Sequence, residues 1–99
     1  MAGRGRGGER APLPEFEWDE HNEVRLLERH GVSALEAEQC FGNPYSKRRQ
    51  GEDLLLLGRT NAGRMLFLVY EQKAGGVVRI YSGREMTEGE RRAYRRAVR

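Results

Sequence analysis

The stretch LLLLGRTNAGRMLFLVYEQKAGGVVRIYSGRE, Leu54 to Glu85, decides the fold. Leu54–Leu57 is a four-residue apolar run that ends at Gly58-Arg59, and Met65–Tyr70 is a second run of six apolar or aromatic residues. Runs of this length without alternation suit strands covered on both faces. Asn61-Ala62-Gly63 supplies a turn between them, and Ala74-Gly75-Gly76 supplies the next. Beyond it, Val78 and Ile80 fall on one side of a strand while Val77, Arg79 and Tyr81 fall on the other. Upstream, Tyr45 to Arg49 reads as a further short strand. The centre of the chain is therefore an antiparallel meander of hairpins.

Helices bracket that meander. FEWD (Phe16 to Asp19) alternates like a short edge strand. Asp19 can then cap a helix running to about Arg29, with Val24 and Leu27 on one face. His30-Gly31 closes it, and Ser33-Ala-Leu-Glu36 opens a second helix with a capping box. Ala34, Ala37 and Phe41 line one side of this helix, with Cys40 beside them, and Gly42-Asn43-Pro44 breaks it. Thr87-Glu-Gly-Glu90 is another capping box and starts a last helix. On it Ala93, Tyr94, Ala97 and Val98 share one arc, and Arg91, Arg92, Arg95, Arg96 and Arg99 fill the rest. The order βααββββα predicts a small α+β domain with two N-terminal helices and a C-terminal helix.

Composition narrows the function classes. The chain has 99 residues, 37% hydrophobic and 33% charged, which suits a single globular domain with a modest core. No apolar run approaches the roughly 18 residues of a membrane helix, and no signal peptide opens the chain. One cysteine excludes an internal disulfide, and two histidines with that thiol make a poor metal set. A cytoplasmic domain that needs neither membrane, metal nor cofactor is expected. Residues 1–14, rich in glycine and proline, are expected to form a loose leader ahead of a domain spanning 15–99.

The net charge of +3 is unevenly spread. Residues 12–46 carry eight acidic and two basic side chains, a net of −6, whereas residues 47–99 carry thirteen basic and six acidic, a net of +7. Basic charge gathered in one half suits a polyanion or an acidic protein partner. The final helix accounts for five arginines, which a solvated amphipathic helix would also display. Arg79 and Arg84 are different. Gly83 can mark a bulge that turns Arg84 toward the face carrying Arg79 and Tyr81. Two arginines beside a tyrosine can fork onto a phosphate, or each can pair with a glutamate such as Glu71 or Glu85.

Several segments taken together carry a resemblance: FEWDEHN, ERHGVSALEAE, the NPY break, LLLLGRTNAGRMLFLVY and VVRIYSGREMTEGERRAY. From about Phe16 to Tyr94 the chain resembles the BrnT family, toxins of type II toxin–antitoxin pairs with a RelE-like fold. The resemblance implies a metal-independent ribonuclease in which an RNA 2′-hydroxyl attacks the adjacent phosphate. Arg79 and Arg84 would then stabilise the phosphate and Arg59 would position RNA. Tyr70 would join the two arginines as a catalytic residue, and it or Tyr81 would stack on a base or donate a hydrogen bond. Lys47, Arg48 and Arg49, in the basic bridge SKRRQGED, would add RNA contacts. His30 would cap a helix rather than catalyse. The implied partners are RNA and a cognate antitoxin, a ribbon-helix-helix DNA-binding protein that could form a heterotetramer with the toxin. The alternative on the same fold is a non-catalytic module that binds RNA or protein.

Overall fold

A computed structural model describes residues 13–99. Most of the leader expected over residues 1–14 therefore lies outside the described residues. The elements run as a π-helical turn at Glu20–Val24 leading into α1 (Arg25–His30), α2 (Ala34–Gly42), β1 (Ser46–Gln50), β2 (Asp53–Arg59), β3 (Met65–Gln72), β4 (Val78–Glu85) and α3 (Glu88–Val98). The four strands form one antiparallel sheet in the order β1-β2-β3-β4. This is the expected α+β meander with a helix pair before it and one helix after.

Local chemistry sets the boundaries. Both predicted capping boxes form: Ser33 accepts from Glu36 N and Thr87 accepts from Glu90 N, with each glutamate side chain returning to the cap backbone. Asp19 caps the π-turn in the same way, with Asn22 in the reciprocal role. Gly31, at φ 66°, closes α1 in the left-handed region open to glycine.

One face of the sheet is covered by α1 and α2, and the other is covered by α3 only in part. On the first, Leu56, Leu66, Leu68, Tyr70, Val78 and Ile80 pack against Leu26 of α1, Val32, and Ala37 and Cys40 of α2. On the second, Leu57, Met65 and Phe67 pack against Met86 and against Tyr94 and Val98 of α3. The unbroken apolar runs are thus explained, because β2 and β3 each feed both clusters. Gly58 and Gly83 let the helices approach: a Cβ at Gly58 would lie 2.9 Å from Cys40 Cβ of α2, and one at Gly83 would lie 3.3 Å from Leu26 Cδ1 of α1.

Three local expectations need correction. FEWD makes only a single parallel bridge, Phe16 to Val78, because Asp19 turns the chain into the helix one residue after Trp18. The first helix buries Asn22 and Leu26, while Val24 and Leu27 are exposed. The cause is the π-turn, whose i→i+5 bonding takes an extra residue and rotates the buried stripe. Ala97, expected on the packed arc of α3, is exposed, and that helix docks through Tyr94 with Ala93 and Val98 at its margins.

Two polar residues tie the layers together. Buried Asn22 donates to the carbonyls of Glu17 and Ile80 at 3.0 and 3.2 Å and accepts from Asp19 N at 2.8 Å. Arg64 donates to Gly31 O at 2.8 Å, to Glu36 at 3.1 Å and, through Nε, to Glu85 at 3.0 Å, joining the α1–α2 junction to the end of β4. Replacing Arg64 with Met removes these charge-assisted bonds at a partly exposed site. It is expected to lower stability by about 2 kcal/mol, a fall in melting temperature of roughly 10 °C for a domain of this size. Calorimetry of the pair checks this; an unchanged Tm would show Arg64 to be ornamental.

Candidate functional site

The register assigns each predicted site residue to a face, since directly paired residues on neighbouring strands share one. Arg49, Leu54 and Tyr70 form one cross-strand row, and Lys47, Leu56 and Leu68 another, both on the side covered by α1 and α2. Arg48 pairs with Leu55 and Leu55 with Val69, on the opposite side. Arg79 opposes Glu71 and Arg84 opposes Phe67, also on that opposite side. Arg59 opposes Met65 at the end of β2 and belongs there too. The sheet therefore separates Tyr70, Lys47 and Arg49 from Arg48, Arg59, Arg79, Tyr81 and Arg84.

Arg79 and Arg84 share a face only because the β3–β4 register shifts. Tyr70 pairs with Ile80 and Val69 with Ser82, so Tyr81 is an extra residue on β4. Without it Arg84 would point into the core. The irregularity lies two positions before Gly83, which faces Leu68 and Leu26 instead.

The two arginines are held apart. Arg79 opposes a residue four positions along β3 from the one Arg84 opposes, roughly 13 Å of strand. Arg79 Nη1 donates to Glu17 Oε1 at 3.1 Å and to Asp19 Oδ2 at 3.0 Å. Arg84 Nη1 and Nη2 grip the two oxygens of Glu90 at 2.8 and 2.9 Å, and its guanidinium lies 4.3 Å from the Phe67 ring centroid. Both arginines are thus paired with carboxylates, though neither with Glu71 or with the side chain of Glu85. Glu71 instead accepts a hydrogen bond from Tyr81 Oη, and Arg79 lies 5.9 Å from the Tyr81 ring. Glu71 raises the Tyr81 phenol above its ordinary range, and Arg79 lowers the Asp19 carboxyl. The result is a compact group of Glu71, Arg79 and Tyr81, with Asp19 and Glu17 behind the arginine.

Arg84 has a different setting. Its fork on Glu90 and its stacking on Phe67 fasten the start of α3 to β4. The same guanidinium, helped by the Thr87 N–H, holds the Glu90 carboxyl down at about 2 from an ordinary 4.5. A carboxyl depressed by folding contributes stability that is complete above pH 4.5 and disappears as pH falls toward about 2. Glu90→Gln is accordingly expected to be less stable at neutral pH and to show a flatter fall in Tm across that acid window. Parallel profiles for the two proteins would count against the fastening.

The other predicted cations differ in having no carboxylate within ion-pair distance among the described residues: Lys47, Arg48 and Arg49 on β1, and Arg59. Tyr70 is buried, edge-on to Phe41 with ring centroids 5.3 Å apart. His30 is exposed in the last turn of α1. Among the described residues no cluster of three or more His, Cys, Asp or Glu could hold a metal ion, and no helix is long and apolar enough to cross a membrane. Sequence reading overlooked three contributors: Glu71 as the partner of Tyr81, Asp19 as the anchor of Arg79, and Asn22 as a buried tie. Only the Asp19 cap had a local signal.

A family profile described as "Ribonuclease toxin, BrnT, of type II toxin-antitoxin system" matches residues 18–90, a span that includes α1, α2 and all four strands. The class is that of toxins working in pairs with an antitoxin. The chain belongs to the BrnT family of ribonuclease toxins. No curated protein matches the chain.

Proposed function

We propose that the chain is a metal-independent endoribonuclease whose reacting groups are Glu71, Arg79 and Tyr81. The observation that carries this reading is the extra residue at Tyr81, which gathers an acid, a cation and a phenol on one open face of the sheet. Arg79 spends its bonds to Glu17 and Asp19 through Nη1 and Nη2, and these fix its direction. A guanidinium has five donors, so the Nε–H and one Nη2 proton are left to meet a phosphate.

In this mechanism the 2′-oxygen of a ribose forms a bond to the adjacent phosphorus while the bond from phosphorus to the 5′-oxygen breaks. Glu71 takes the 2′-hydroxyl proton and Tyr81 donates its own to the departing 5′-oxygen. The hydrogen bond between them then returns the proton from Glu71 to Tyr81, leaving a cyclic phosphate and a free 5′-hydroxyl. The raised phenol pKa suits a donor, because Tyr81 stays protonated until the leaving group develops charge. Arg79 neutralises the charge that builds on the phosphate oxygens.

Arg84, fastened to Glu90, guides the strand beyond the reacting phosphate. Arg48 and Arg59 extend the cationic face toward β1. The antitoxin, on this reading a ribbon-helix-helix protein in a cytoplasmic heterotetramer, silences the toxin by covering the same face.

Purified protein incubated with end-labelled RNA in the presence of a chelator tests the proposal. Cleavage products ending in cyclic phosphate are expected, with Arg79→Gln at least roughly a hundred-fold slower, the scale seen on removing one charge-stabilising donor. Intact RNA, or a rate indifferent to Arg79, would refute it. Salt-sensitive binding without cleavage would mark the non-catalytic module instead.

A further inference from the structure

The residues on the other side of the sheet form a second site. We infer that a groove at the start of β1 holds one unstacked base of single-stranded RNA, with the adjoining phosphates on Lys47 and Arg49. The inference extends the proposed RNA substrate to a docking point apart from the reacting groups.

The groove encloses about 160 Å³, and its lining includes Phe41, Tyr45, Lys47, Tyr70 and Gln72. Ligand pockets for drug-sized molecules begin at roughly 300 Å³, so this one has room for a single planar ring system. Its walls are aromatic: Phe41 lies 6.2 Å from the Tyr45 centroid and 5.3 Å from that of Tyr70. Tyr45 is 41% exposed and offers an open π-face. Tyr70 is only 2% exposed, yet its hydroxyl has no hydrogen-bond partner among the described residues. Buried polar groups are almost always satisfied, so a lone phenol at the wall of a groove points to a guest that bonds it. The Gln72 side chain, likewise unbonded, stands at the same groove with a donor and an acceptor. Together these groups suit the hydrogen-bonding edge of a base stacked on Tyr45.

Charge completes the match. Lys47 and Arg49 share this face of β1, and neither has a carboxylate partner among the described residues. Arg49 lies in the cross-strand row of Tyr70, close enough to oppose the upward shift of its phenol. Aromatic faces flanked by unpaired cations are how sequence-tolerant single-strand sites are built.

Binding of a short fluorescent single-stranded RNA at fixed salt tests this, using Glu71→Gln protein so that the probe stays intact. Tyr45→Ala is expected to weaken binding roughly ten-fold or more. Tyr70→Phe should weaken it several-fold while leaving Tm unchanged or higher, because it removes only an unbonded hydroxyl. An abasic strand and a duplex of equal charge should compete poorly, and a free mononucleotide should compete only at far higher concentration. Equal competition by the abasic strand, or unaltered affinity in Tyr45→Ala, would overturn the base site and leave charge alone as the attraction. So would a fall in Tm for Tyr70→Phe without loss of affinity, which would make Tyr70 purely structural. Base-dependent binding by a parent chain that cleaves nothing would sink the catalytic proposal and leave this one standing; cleavage with indifferent bases would do the reverse.

Discussion

A Glu71→Gln variant is expected to fold and hold RNA like the parent chain but to cleave it roughly a hundred-fold to ten-thousand-fold more slowly, the range for loss of a positioned general base. The substitution keeps the shape of the side chain and an oxygen for Tyr81 to donate to, so geometry survives while proton acceptance does not. The Glu71–Tyr81 bond is exposed, and losing its charge should change stability by well under 1 kcal/mol. Tyr81→Phe isolates the other half, since it abolishes the donor and leaves the Glu71 side chain in place. If the two act as one relay, the double variant should be scarcely slower than the worse single one. Single-turnover cleavage of labelled RNA measures all three. A Glu71→Gln protein turning over at the parent rate would remove Glu71 from the chemistry outright.

Why Glu71 was hard to see bears on how much of this protein its sequence reveals. Whatever follows local rules was legible: the capping boxes at Ser33 and Thr87, the turns around Gly63 and Gly75, and the strand pair read from Leu54–Leu57 and Met65–Tyr70. Where one extra residue intervenes, periodicity misleads. The π-turn at Glu20–Val24 moved the buried stripe from Val24 and Leu27 to Leu26, and the register shift fell at Tyr81 rather than Gly83. Long-range pairing left no local trace at all. Glu17 and Asp19 hold Arg79 from 62 and 60 positions away, so sequence reading sought its partner among neighbouring glutamates. The setting of Arg79 is built from such distant pairs, while Glu71–Tyr81 and Arg84–Glu90 span ten and six positions. The residue types of the candidate site were therefore readable, and their grouping onto two faces was not.

The largest effect on stability is expected at Gly58. A methyl group there would sit 2.9 Å from both Cys40 Cβ and Leu56 Cδ2 and 3.0 Å from the Cys40 carbonyl oxygen. The leucine can rotate away, but the α2 backbone can yield only by lifting the helix from the sheet. Gly58→Ala should cost about 3 kcal/mol, the upper end for overpacking, or roughly 15 °C in Tm. Gly83→Ala provides the control. Its nearest contacts are the side-chain ends Leu68 Cδ2 at 2.7 Å and Leu26 Cδ1 at 3.3 Å, with backbone no nearer than 3.6 Å, so a smaller loss is expected. Thermal unfolding of both variants would contradict this packing if Gly83→Ala proved the more damaging.

The chain-order layout of the sheet has a kinetic consequence. Every strand lies beside its predecessor, so hairpins can zip in succession, each on a timescale of roughly 1–10 μs. By contrast, the clasp that Glu17 and Asp19 place on Arg79 closes a loop of some sixty residues, and its exposed carboxylates are joined to β4 only through the bridge at Phe16 and the Asn22 bond to Ile80 O. Such a clasp assembles late and frays early, well before the meander itself melts. On the proposed mechanism Arg79 would thus lose its aim during brief local openings, and heat would stop cleavage while the circular dichroism still looked native.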